Sequence, residues 1–469
     1  MTEMRHPQPY ASLEATAAAI SDGLITSEAL VEHQLRRIDK FDGQLKAFVE
    51  VYADEALQAA RALDGLLRAG TRLGRLHGVT VAVKDLLEIE GRPVGAGSVA
   101  TPPRVSSVTA TVVERLRAAG AVVIGKTQTV EYAFGGWGTN AGMGTPWNPW
   151  DRQVHRIPGG SSSGSSVALA AGLCTAAIGT DTGGSVRIPA GLCGLVGLKT
   201  THGLVSRHGL IELCPTHDTV GLITRTVRDA GLVLDAIAGP DPRDTATRHA
   251  PVRTVLGPHA EGGVRGWRVW TLPRAERHAI EADVLAVYDQ AMDSLRDLGA
   301  QPVHRDLPQP LSEYMRIAGL LMSAEGYANL GELFEMDLPF DPHVRKRILA
   351  GKHIDAAQYI ELLKLREHAK AHMLDAMDGI DICCFPTNAI SAIPVSDVDE
   401  TATPLSRFGR FVNLLDLCAV AVPAGLSGRG LPISIQMIGR PMDEPLILRA
   451  ANAFEKSTPW HQLTPKGWE

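Results

Sequence analysis

The chain has 469 residues, 45% of them hydrophobic and 21% charged, with a formal net charge of −6. Such a composition fits a soluble globular protein with a large core. The acidic balance and the lack of any Lys/Arg run exclude a nucleic-acid stripe, and no apolar run reaches the ~18 residues of a membrane span.

In chain order, "ASLEATAAAISDG", "TSEALVEHQLRRIDKF" and "DEALQAARALDGLLRAG" have apolar residues at helical spacing. Thr26 or Ser27 is the expected N-cap of the second. Residues 1–70 are therefore expected to form a helical N-terminal layer. Beyond them, "GVTVAV" and "AVVIG" read as strands around the helix "TATVVERLRAAG". That β-α-β alternation marks α/β architecture. "SVALAAGL" continues as a helix, and "CTAAIGTD" and "GLVGLK" as buried strands. Further on, "WRVWTL", "DICCFPT" and "PISIQMIG" read as strands, and Ala279 to Leu298 as a helix. The Pro- and Gly-rich stretch from Gly239 to Gly263 is the expected surface connection.

The six cysteines show no C-x-x-C spacing, and the histidines form no metal-ligand motif. Neither a metal nor a cofactor is expected. Buried free thiols fit a reducing cytoplasm, and the N-terminus has no apolar leader segment, so a cytoplasmic location is expected.

The chemistry concentrates in three segments. "PGGSSSGSS" (Pro158 to Ser166) has the composition of a flexible linker but lies inside the α/β pattern. Its G-x-S-x-G match, with Ser162 central, lacks the buried strand that a nucleophile elbow needs. "TDTGGSVRIP" places Gly183 and Gly184 before Ser185. Two glycines let consecutive N–H groups converge on one point, as an oxyanion hole requires. The Ser185 hydroxyl needs a base. Lys84, at the end of "GVTVAVK", can supply one if burial lowers its pKa.

Together these segments resemble the amidase signature family. "GGSSSGSSVALAAGLCTAAIGTDTGGSVRIPA" (Gly159 to Ala190) fits the family's Gly/Ser signature without departure. "GRLHGVTVAVKDLLEIEG" resembles its lysine segment, and the likeness extends over most of the chain. The resemblance implies a mixed, twisted β-sheet core flanked by helices on both faces, as one α/β domain over residues 1–469. It implies Ser185 as nucleophile, Ser161 as bridging serine after a cis bond from Gly160, and Lys84 as base. Thr182, Gly183 and Gly184, with Ser185, would supply the oxyanion N–H groups. Asp181 and Arg187 would brace the loop, Ser162 and Ser163 would tie the Gly-rich turns, and Lys126 takes no catalytic part. The implied activity is hydrolysis of an amide C–N bond through an acyl-enzyme, without metal or cofactor, in a homodimer.

The signature does not discriminate substrates. Tyr132, Phe134 and Trp137 are candidates for an apolar acyl or aryl pocket, which would suit aryl amides, anilides or carbamates. The alternative is the glutaminase-type A subunit of a tRNA-dependent amidotransferase, which passes ammonia to a partner. "HVRKRILAG" has a faint likeness to that protein's glutamine-recognition region. A non-catalytic scaffold is disfavoured because Lys84, Ser161 and Ser185 are all present.

Overall fold

The computed structural model describes residues 6–251 and 261–469. Thirteen strands occur among them. They are β1 (Phe48–Val51), β2 (Thr80–Lys84), β3 (Pro93–Val94), β4 (Arg104–Val105), β5 (Val122–Thr127), β6 (Ala176–Asp181) and β7 (Val196–Lys199). Then follow β8 (Thr219–Thr224), β9 (Arg268–Thr271), β10 (Gln301–Val303), β11 (Ile382–Pro386), β12 (Cys418–Leu426) and β13 (Pro432–Gly439). All but β3 and β4 join one 11-stranded sheet in the order β1-β5-β2-β6-β8-β7-β12-β13-β11-β9-β10. The sheet is mixed. β2 runs parallel to β5 and β6, whereas β8, β7, β12 and β13 alternate in antiparallel pairs. The expected α/β class, with a mixed sheet between helices, is what the chain forms.

Alternation along the strands feeds two cores. Val81, Val83, Val123 and Ile178 belong to one apolar cluster, and their neighbours Ala82, Ile124 and Ala177 to a second. Successive strand side chains point to opposite faces, so both faces of the sheet are buried. Helix Ser163–Ala170 packs wholly buried in the second cluster, and helix Val227–Ile237 covers the first. All six cysteines are free and buried, five of them in these two clusters.

The three N-terminal helices form at Leu13–Ser21, Ser27–Leu45 and Ala53–Arg68, with Thr26 capping the second through the Ala29 N–H at 3.0 Å. The N-terminal layer is not purely helical. Phe48–Val51 forms edge strand β1, which pairs with β5 and ties the layer into the sheet. Four residues between two helices carry too short a period-2 pattern to read. Strands β8, β10 and β12 likewise carry no clear mark in the sequence, nor do the long helices Leu311–Glu335 and Ala356–Ala376. Part of the expected connection at 239–263 lies outside the described residues.

One consequence of the parallel β2–β6 pairing governs the rest. Both strands end at the same edge of the sheet, with Lys84 closing β2 and Asp181 closing β6. Ligand sites of open α/β sheets form outside such carboxyl ends. The Gly/Ser stretch packs tightly against that edge. A β carbon on Gly164 would lie 2.3 Å from the Ala47 carbonyl oxygen and 2.5 Å from the Gln128 nitrogen. Gly164→Ala is expected to destabilise the protein by about 1–3 kcal/mol or more, as overpacking does. Urea unfolding of the variant beside the parent measures this, and an unchanged midpoint would refute the close packing.

Candidate active site

Lys84, Lys126 and Lys199 are all fully buried. Their partners separate them. Lys126 is paired with Asp85 at 3.1 Å and donates to the Pro93 carbonyl at 2.9 Å. Lys199 donates to the Thr200 and Leu417 carbonyls at 2.9 and 2.8 Å. Lys84 alone of the three meets a serine, its Nζ lying 2.7 Å from Ser161 Oγ and 2.8 Å from Thr180 Oγ1. Burial lowers its pKa to about 7, against the opposing pull of the Asp181 and Asp218 charges. An amine so placed can be neutral near pH 7 and accept a proton.

Ser161 follows a cis peptide bond from Gly160. The next residue, Ser162, donates its N–H to the Ser185 carbonyl at 3.1 Å, which locks the two serine-bearing turns together. Ser162 Oγ donates to the Thr180 carbonyl and accepts from the Thr180 N–H, both at 3.3 Å. It is a structural tie, in line with the expectation. Ser163 Oγ, by contrast, is buried without a hydrogen-bond partner.

The turn after β6 is organised by Asp181. Its Oδ1 accepts from Gly184 N at 2.7 Å and Arg187 Nη2 at 3.0 Å, and its Oδ2 from Val186 N at 3.1 Å and Arg187 Nε at 3.0 Å. Burial alone would raise its pKa. The Arg187 charge and hydrogen bonds outweigh that, together with the Lys199 charge, and hold the carboxyl below the usual range. Arg187 reaches onward to Gln436 Oε1 (2.9 Å), Asn413 Oδ1 (2.8 Å) and the Gly409 carbonyl (3.1 Å). The bracing role expected of these two residues is matched by this geometry.

The oxyanion set needs one correction. The Gly184 N–H is committed to Asp181, so it does not face the reacting position. Gly184 has φ +115, and a β carbon there would meet Ile188 Cδ1 at 2.7 Å, so it is glycine for conformation and space. The Gly183 and Ser185 N–H groups take no acceptor among the described residues. Thr182 is held through its hydroxyl, which donates to Asp218 Oδ1 at 2.6 Å. Asp218 also accepts from the Leu213 and Cys214 N–H groups at 2.8 and 2.9 Å, and burial pushes its pKa up to about 6 despite these bonds.

Ser185 lies on the wall of a narrow cleft. Phe134, Trp137, Met322, Arg347, Leu405 and Arg410 line it with Gly183. Two of the three candidate pocket aromatics are thus in place. Tyr132 is not. It packs edge-on against Phe334, ring centroids 5.3 Å apart, behind Phe134 and Met322 in the apolar cluster that backs the cleft. The reason is local. Tyr132 and Ala133 adopt φ +45 and +60, and this left-handed turn sends Phe134 toward the cleft and Tyr132 away from it. Thr180, Asp218 and Arg410 were not singled out by the sequence, whereas Arg347 lies within the "HVRKRILAG" segment. Nothing in the local pattern around Arg410 separates a cleft arginine from a surface one.

Cys214, His217 and Glu325, all buried, bring three donor atoms within 4.8 Å of one another. The cluster closes on itself. The thiol donates to Glu325 Oε2 at 3.3 Å, and Thr216 and Tyr359 hydroxyls donate to Oε1 at 2.6 and 3.1 Å.

The amidase family model matches residues 29–448, and the chain belongs to the amidase signature family. It is 38% identical over 476 residues to the A subunit of the glutamyl-tRNA(Gln) amidotransferase of Anaeromyxobacter dehalogenans (strain 2CP-C), covering 95% of each chain. Among solved structures it is similar to an inhibitor-bound chain from a vestigial protein complex that reveals the origins of an s-triazine catabolic enzyme. The TM-score there is 0.89 at 28% identity, over 97% of this chain and 100% of that one. A bacterial aryl acylamidase of the same family superposes with a TM-score of 0.86 at 25% identity, over 97% of each chain.

The Asp181–Arg187 pair is enclosed and fully hydrogen-bonded. Arg187→Met would leave the carboxylate buried without its cation. A loss of about 3–5 kcal/mol in unfolding free energy is expected, as for one-sided removal of a buried pair. Chemical denaturation checks it, and a loss below about 1 kcal/mol would assign the pair no organising role.

Proposed function

We propose that the chain hydrolyses amide C–N bonds through an acyl-enzyme on Ser185, with Ser161 and Lys84 as proton relay. One observation carries this reading: a buried lysine amine 2.7 Å from the hydroxyl of a serine whose turn is bonded to Ser185. Neutral Lys84 draws a proton from Ser161 as Ser161 takes one from Ser185. The Ser185 oxygen attacks the carbonyl carbon, and the Thr182, Gly183 and Ser185 N–H groups receive the oxyanion. The relay returns the proton to the departing nitrogen, the C–N bond breaks, and amine or ammonia leaves. Water then attacks the ester by the same relay, releases the acid and restores Ser185.

Of the two substrate readings, the relatives favour the glutaminase-type component of an amidotransferase. The similarity to such proteins spans nearly both full chains. In that reading glutamine is the ammonia source, and the chain works with a partner protein rather than as a lone homodimer. The aryl-amide, anilide or carbamate reading retains Phe134 and Trp137 in the cleft but loses Tyr132 from it.

A panel of glutamine, an aliphatic primary amide, an anilide and an aryl carbamate distinguishes these. Glutamine-dependent ammonia release, raised by a co-purified partner, supports the amidotransferase reading. Turnover of the anilide by the isolated chain sinks it. In either case Ser185→Ala is expected to lose at least about a thousandfold in kcat, and Lys84→Ala about 10²–10⁴-fold. Full activity in Ser185→Ala would refute the mechanism.

The pH dependence follows from Lys84. Its pKa is lowered to about 7, and the working form is the neutral amine. Activity is therefore lost as pH falls through that value and the amine takes up a proton. Below it, kcat/KM is expected to drop about tenfold per pH unit, with a plateau above. A profile still flat at pH 5 would exclude Lys84 as the base.

A further inference from the structure

Arg410 starts the short helix Arg410–Leu414 and lines the cleft beside Gly183 and Ser185. Other arginines of this region are answered. Arg187 is paired with Asp181. Arg347 meets Glu400 Oε2 at 2.8 Å and the Phe134 carbonyl at 2.7 Å. Arg407 meets Glu276 at 3.0 Å. Arg410 has neither a carboxylate nor a hydrogen-bond acceptor among the described residues. Burial, reinforced by the neighbouring Arg347 charge, lowers its pKa to about 10, well within the charged range at neutral pH.

Its placement is constrained. A β carbon on Gly183 would lie 3.1 Å from Arg410 Cγ, and one on Gly319 would lie 3.5 Å from Nη1. The first contact is tight and the second is ordinary van der Waals contact, so Gly183 leaves room for the stem of the side chain. The preceding Gly409 carbonyl accepts from Arg187 Nη2 at 3.1 Å, and Asn413 donates to the Asp181 carbonyl at 2.8 Å. The same Asp181–Arg187 clamp that shapes the Ser185 turn therefore also fixes the backbone of Arg410. Arg410 is half-buried in the cleft wall, and a partly desolvated cation without a counter-charge is costly to hold. Guanidinium is also the group best matched to a carboxylate, which it can bind through two parallel hydrogen bonds.

We propose that Arg410 is the recognition site for a carboxylate on the substrate, so that the chain acts on amides bearing an anionic group close to the scissile carbonyl. This rests on Ser185 being the reacting residue. Glutamine belongs to the class, and so do short dicarboxylic monoamides. A neutral anilide does not, because its binding would seal Arg410 in the cleft unpaired.

The test uses isosteric pairs that differ only in charge: malonamate and malonamide, succinamate and succinamide, glutamine and its α-amide. Binding is measured by calorimetry on the full-length Ser185→Ala protein, and turnover on the parent. The carboxylated member of at least one pair is expected to be preferred about 10- to 100-fold, the worth of a charge-assisted hydrogen bond. Arg410→Met should reduce that preference to about threefold or less, while Arg410→Lys keeps part of it. The thermal midpoint of ligand-free Arg410→Met should be unchanged or higher, since no partner is orphaned. A lowered midpoint would instead give Arg410 a folding role. Equal or undetectable binding of all three acids overturns the proposal, as does a preference that survives in Arg410→Met. Turnover by Ser185→Ala would sink the nucleophile assignment separately, without altering the binding result.

Discussion

The buried Asp181–Arg187 pair is the constraint on which the rest of the site depends. One carboxylate at the end of β6 accepts the Gly184 and Val186 N–H groups and two guanidinium bonds. Those contacts fold the Gly-Gly-Ser turn back on itself and leave the Gly183 and Ser185 N–H groups pointing elsewhere. The arginine then extends the same clamp to Gln436 on β13 and to Asn413 near the cleft. Strands distant in sequence are thereby joined to one turn. Buried pairs are costly to desolvate, so this one persists only because each remaining lone pair and proton is also satisfied.

Lys84 shows the opposite use of burial. Its strand is apolar on both sides, and its amine enters an interior with two hydroxyls and no paired carboxylate. Desolvation weakens the charged form, and Asp181 and Asp218 moderate the effect without contact. Lys126, equally buried, meets the Asp85 carboxylate directly at 3.1 Å. The same residue type under the same burial takes different chemistry from its nearest partner.

The cleft completes the contrast. Phe134 and Trp137 give it apolar walls, while Arg347 and Arg410 give it positive charge, only one of them neutralised by Glu400. A Gly/Ser-rich segment that would be a flexible linker elsewhere is here buried throughout. Its small residues are required because backbone, rather than side chain, approaches backbone at Gly160 and Gly164.

The sequence by itself determined the family, the α/β class, most central strands, and the positions of Lys84, Ser161 and Ser185. These were legible because strand periodicity is local and the Gly/Ser signature has fixed spacing. It did not mark β1, β8 or β12, whose short or continuous apolar runs carry no distinctive period. It also placed Tyr132 in the pocket and Gly184 among the oxyanion donors. Only the tertiary structure decided those, because a left-handed turn at Tyr132 and a carboxylate at Asp181 redirect groups that the one-dimensional pattern treats alike. It decided as well that Arg410 stands in the cleft unpaired. Charge, burial and the absence of a partner are properties of packing between segments far apart in the chain, and no local stretch encodes them.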